Sequence, residues 1–188
     1  MERCVHRSGL ICDNNQMRSK IVYTAVSILL ITCCTTAPLA SPGIWVTGIS
    51  ESLTRYYIPA TTWQEKADRS VTCRLDITYV DEPERPVVCN ISFFNKKVVF
   101  KEVASLSFMA ESMIYPVYGI NIMLTRPEYN ELRITSLVEI NELLDLFQYD
   151  KITLKAVIDS SEYIFVPDTE FMQYSKQFYE QVGQDTIS

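Results

Sequence analysis

Hydrophobic and polar residues alternate with period two through two runs between Ser70 and Phe94. In the first, Val71, Cys73, Leu75, Ile77 and Tyr79 share one face while Thr72, Arg74, Asp76 and Thr78 take the other. In the second, Val87, Cys89, Ile91 and Phe93 alternate with Val88, Asn90 and Ser92. Successive side chains of a strand point to opposite faces, so this spacing predicts two half-buried antiparallel strands joined by the polar Asp81-Glu82-Pro83-Glu84-Arg85-Pro86. If Tyr79 pairs with Val87 across that connection, Cys73 falls opposite Phe93 and Cys89 opposite Ile77.

Further strands are predicted over about 97–109 and 117–126, the second with Tyr118, Ile120, Ile122 and Leu124 on one face and Pro116 and Pro127 at its ends. The period then lengthens. Ser136-Leu137-Val138-Glu139 matches a capping box, and Leu137, Ile140, Leu144 and Phe147 follow at helical spacing, predicting a helix over about 136–148. Alternation returns at Ile152, Leu154, Ala156 and Ile158, turns at Asp159-Ser160-Ser161, and resumes over 162–166. Beyond Pro167, Asp168 is placed to cap a last helix over about 168–182, with Phe171, Tyr174, Ser175, Phe178 and Val182 on one side and Gly183 at its end. The fold class expected is α+β: a β-rich antiparallel sheet or sandwich with two helices. It occupies one globular domain over 70–188, with 41–69 as linker and lead-in and 1–40 as a separate N-terminal segment.

That segment sets the expected compartment. The run from Ile21 to Cys34 contains no charged residue and follows Met17-Arg18-Ser19-Lys20, the arrangement of an export signal with its basic end held in the cytoplasm. Met17 is an alternative start. Leu30-Ile31-Thr32-Cys33 resembles the lipobox of bacterial lipoproteins, which implies acylation of Cys33, or of the adjacent Cys34. Thr32 departs from the small residue usual in that motif. Two other endings stay open: cleavage after Ala40, and an uncleaved anchor, for which the apolar run is shorter than the roughly 20 residues a spanning helix uses. The location expected is the periplasm or cell envelope, associated with the membrane through the segment or its lipid, or secreted outright after cleavage.

Charge narrows the partners. Of 17 basic and 23 acidic side chains, only Arg3, Arg7, Arg18, Lys20, Glu2 and Asp13 precede Cys33. The remainder therefore carries 13 basic and 21 acidic groups, formally −8. Such a chain repels a phosphate backbone at long range, and nucleic acid is not an expected partner. In an oxidising compartment the two cysteines of the body, Cys73 and Cys89, are disulfide candidates. The register above separates them by four strand positions, roughly 13 Å, so a bridge needs a shifted register or strands meeting face to face in a sandwich.

The single histidine, His6, lies in the N-terminal segment, so the body holds no Ser-His-Asp, Cys-His or His-zinc machinery. No glycine-rich phosphate loop is present, and no catalytic, cofactor-binding or metal-ligating set is assigned. Carboxylate chemistry is the remaining enzymatic option, with Glu139, Glu142 and Asp145 on the expected helix and Glu111, Glu128 and Glu131 near strand ends. Acids between apolar helical positions most often form a solvated face. Asp81, Glu82 and Glu84 lack the spacing of a calcium loop, and Asn90-Ile91-Ser92 is a glycosylation sequon only in a eukaryotic source. The function expected is a non-catalytic, membrane-tethered envelope module that binds a protein or an apolar partner. The alternatives are a carboxylate-dependent hydrolase of envelope polymers and a purely structural envelope component.

Overall fold

The computed structural model describes residues 43–186, so the segment expected to direct export, with Met17, Cys33 and Cys34, lies outside the described residues. Nine strands form one antiparallel sheet: β1 (Trp45–Ser50), β2 (Leu53–Glu65), β3 (Val71–Val80), β4 (Val87–Asn95), β5 (Val103–Ala110), β6 (Met113–Arg126), β7 (Glu131–Val138), β8 (Ile152–Ile158) and β9 (Ser161–Pro167). Their order is β1-β2-β3-β4-β7-β6-β5-β8-β9, and β9 also pairs with β2. That pairing closes β2 to β9 into an eight-stranded antiparallel barrel with β1 outside it. Helices α1 (Ile140–Leu146) and α2 (Thr169–Thr186) complete an α+β fold.

The expected sandwich is thereby corrected to a closed barrel, and β2 shows how closure is reached. One edge of β2 pairs with β3 from Arg55 to Gln64. Its other edge is divided, Leu53–Tyr57 taking β1 and Trp63–Glu65 taking β9. A register shift between Ile58 and Thr61 separates the halves and resets which residues face inward, from Tyr56 and Ile58 to Thr61, Trp63 and Glu65. The stretch expected as linker and lead-in thus contains two strands. At the closure point the Glu65 carboxylate accepts the backbone N–H groups of Ala67 (2.6 Å) and Asp68, and that of Ile164 in β9 (3.4 Å).

Inward-facing residues of the eight strands fill the barrel, Leu75, Ile77, Ile91, Phe93, Phe108, Ile134, Leu154 and Phe165 among those with no exposed surface. The interior is packed side chain. Where β2 parts from β9, α2 lies along it: Phe171 meets Trp63 edge-on (ring centroids 4.6 Å), and Phe178 meets Tyr56 (6.1 Å) and Phe147 just after α1 (5.7 Å). The Asp168 cap expected from sequence forms, one carboxylate oxygen accepting the Phe171 N–H (2.9 Å) and the other the Thr62 N–H of β2 (3.1 Å). Gly183 does not end α2, which continues to Thr186. It is buried, and a side chain there would meet Tyr179 and Leu144 of α1.

Two further expectations are corrected. Ser136 is not a helix cap; it lies in β7, where Leu132, Ile134, Ser136 and Val138 all point inward, and its hydroxyl donates to the Cys89 carbonyl (3.2 Å). A hydrogen-bonded serine interrupted an otherwise apolar alternation and hid the strand. Helix α1 accordingly starts at Ile140, capped by Glu139 without a side-chain bond. In β6, Tyr115 and Val117 are buried while Tyr118 and Ile122 are exposed. Register shifts at Tyr118/Asn121 and Ile122/Leu124, with Gly119 at φ +60°, break the simple alternation.

The β3–β4 register is the one derived from sequence, with Cys73 opposite Phe93 and Cys89 opposite Ile77. Both cysteines are free and buried. The disulfide candidate is therefore corrected: in a single closed wall the two strands are direct neighbours, and four positions of stagger keep the sulfurs apart. Among the described residues no helix is long and apolar enough to cross a membrane.

Candidate functional site

Two features of the outer surface stand out, and Tyr57 links them. The first is β1. Every one of its six residues is exposed, Trp45 to 63%, and Val46 and Ile49 add apolar surface. Among the described residues β1 pairs with β2 on one side only, which leaves the backbone donors and acceptors of its other edge without a strand partner there. The Trp45 ring leans on that of Tyr57 (centroids 5.2 Å). Trp45, Thr47, Arg55, Tyr57 and Thr78 line a shallow depression there.

The second feature is a polar groove of about 500 Å³ on the outer face of β2, β3, β4 and β7 and the end of β6. It follows from the same alternation that fills the core. Leu75, Ile91 and Ile134 point in, so Arg74, Ser92 and Arg133 point out, and the pairings Arg74↔Ser92 and Ser92↔Arg133 set them side by side across three strands. Strands lie about 4.8 Å apart, which puts the two arginine Cα atoms roughly 10 Å from each other. Ser92, 7% exposed, forms the floor between them. Tyr57, Phe94 and Tyr129 supply aromatic walls, and Arg126 stands at the far end.

The groove's acids are sunk and engaged. Asp76, its side chain 13% exposed, receives Arg133 at 3.5 Å and the Asn90 amide at 2.7 Å. Glu131, 10% exposed, receives Arg126 at 3.6 Å. The arginine side chains are close to half exposed. Arg74 is exposed and has no ion-pair partner among the described residues. Burial, and secondarily the Asp76 charge, raises the Tyr57 hydroxyl above its ordinary pKa. The sequon is part of this wall: Asn90 lies mid-strand in β4 with its amide bonded to Asp76.

The acids singled out from sequence do not converge. Glu139 accepts the Tyr118 hydroxyl and Asp145 the Tyr115 hydroxyl (2.5 Å), so two of the three helix acids anchor α1 to β6 where a purely solvated face was expected. Glu111 sits in the β5–β6 turn at φ 50°, and Glu128 in the short 3-10 turn Pro127–Tyr129. Glu82 pairs with Arg85 (2.6 Å) and Asp81 accepts the Tyr79 hydroxyl (3.4 Å). Among the described residues no three side chains are arranged to hold a metal ion. Sequence reasoning missed the arginine row because its members come from strands far apart in the chain. The polar positions of β3 and β4 were legible, but no strand was expected around Arg133, between the strand ending at 126 and the helix expected from 136.

Comparison with family models, curated proteins and solved structures finds no match in any of the three.

Proposed function

We propose that the chain is a non-catalytic module, exported by its N-terminal segment, that binds a partner protein through β1. The observation that carries this reading is an edge strand exposed along its whole length and bearing Trp45, Val46 and Ile49. Such an edge is a template for strand addition: unpaired backbone groups supply hydrogen bonds, and the apolar side chains supply buried area. Its position outside the barrel leaves β2 to β9 closed while a partner strand docks.

The rival reading, a carboxylate-dependent hydrolase, has less support from the disposition of acids. Asp76 and Glu131 share the groove but are two strands and four residues apart in register, roughly 16 Å between Cα atoms. Each is already held by an arginine.

The test is site-specific photocrosslinking in the source cells from position 47, with Lys155 as a control position. A discrete protein adduct at 47 that is lost in Ile49→Lys, which places a charge on the strand, supports the reading. Equal adducts at both positions, or none at 47, refute it. Intact mass of the protein from cytosolic and membrane fractions of the same cells tests export, because a chain that begins at Met1 or Met17 without acylation and is recovered from the cytosol removes that part.

A further inference from the structure

We propose that the groove between β2, β3, β4 and β7 is a binding site for a carboxylate-bearing saccharide, separate from the β1 edge. The argument starts from donor and charge accounting. Three arginines, Arg74, Arg126 and Arg133, face two carboxylates, and those carboxylates lie low in the wall while the guanidinium groups reach the rim. Each visible ion pair is long, at 3.5 or 3.6 Å, and uses one nitrogen of a group that carries five N–H donors. Arg74 has no ion-pair partner among the described residues. A body with a formal charge of −8 thus holds a local surplus of cation and of planar, forked donors at one concave place.

The fork takes carboxylate and phosphate alike in a bidentate manner, and Arg74 and Arg133 flank Ser92, whose hydroxyl can both donate and accept. A small phosphate ligand is typically cradled by main-chain N–H groups of a glycine-rich loop or helix start, and this groove is built of strand side chains. An acidic peptide could not add here as a strand, because the strands beneath the groove floor, β3 and β4, are paired on both edges. A saccharide needs what is present: hydroxyl partners in Ser92 and the tyrosines, the aromatic side chains Tyr57, Phe94 and Tyr129 along the lining for its C–H surface, and arginine for its acid.

The experiment is titration calorimetry of the purified full chain at low salt with trigalacturonate. Maltotriose is the uncharged control, hexaglutamate the acidic peptide, and inorganic phosphate and a short single-stranded oligonucleotide the phosphate arms. Trigalacturonate binds and maltotriose does not, and Arg74→Ala and Arg133→Ala each weaken binding about tenfold or more, as loss of a charge-assisted hydrogen bond implies. Arg74→Ala leaves thermal unfolding unchanged because this exposed side chain has no ion pair to lose, so its effect is separable from misfolding. Ile49→Lys, which tests the β1 reading, leaves trigalacturonate binding intact. Failure of trigalacturonate to bind, indifference to both arginine variants, or equal or tighter binding of hexaglutamate, phosphate or the oligonucleotide overturns the proposal.

Discussion

The Tyr115 hydroxyl donates to the Asp145 carboxylate at 2.5 Å, tying the first half of β6 to α1. Tyr115 is buried and Asp145 half-buried, so the bond satisfies a charged group that water reaches only in part. Tyr115→Phe keeps the ring and removes the donor. The expected cost is about 1–3 kcal/mol, read as a lower urea midpoint with an unchanged denaturant slope. An unchanged midpoint means that water replaces the phenol at no cost.

Alkaline pH loosens this region and the end of β3. The Tyr118 hydroxyl is pushed up to about 12 by its bond to Glu139 and by burial, and Tyr79 to about 12 by burial and by Asp81. Tyr115 lies higher still, through burial and its bond to Asp145. A folded pKa above the unfolded value of 10.0 means that the contribution is complete below that pH and is lost as pH rises through the folded value. Unfolding free energy is therefore expected to be insensitive to these groups below about pH 10 and to fall between about 10 and 12. Phenolate absorbance of the folded protein should lag behind that of the unfolded chain over the same window.

Cys73 and Cys89 are expected to be chemically silent in the native protein. Burial raises the Cys73 thiol well above its ordinary pKa, and burial together with the Asp76 charge raises Cys89 to about 12, so little thiolate forms near neutral pH. Peptides containing either residue should remain unlabelled by iodoacetamide until denaturant is added, and a reductant should not move the unfolding midpoint. Recovery of a linked peptide joining the two refutes the register.

Glu65→Gln probes barrel closure. The carboxylate receives three backbone N–H groups, one from β9, whereas an amide turned the wrong way offers its own N–H to them. The expected loss is about 1–3 kcal/mol. Amide exchange should quicken more at Phe165 and Val166, opposite Glu65 and Gln64, than along the β3–β4 pair. Uniform acceleration across both seams places the weak point elsewhere.

Local rules were enough for several parts of this protein. Alternation and the connection length set the β3–β4 register, down to the residues facing each cysteine. Asp168 announced the start of α2, and the Asp159-Ser160 turn forms with φ 48° and 66° at the two residues joining β8 and β9. What failed depended on partners distant in the chain. Ser136 looked like a cap because its acceptor, the Cys89 carbonyl, is 47 residues away. The outward face of β6 depended on bulges against β7.

Sequence by itself determined the strands with clean alternation and the charge balance, because pleat periodicity and ionisation are properties of short stretches. Tertiary structure alone decided that the sheet closes, that β1 is left outside, and that Arg74, Ser92 and Arg133 form one row. Each of those depends on which edges meet, and edge pairing is a contest among backbone groups that every strand carries alike, settled by whole-chain packing.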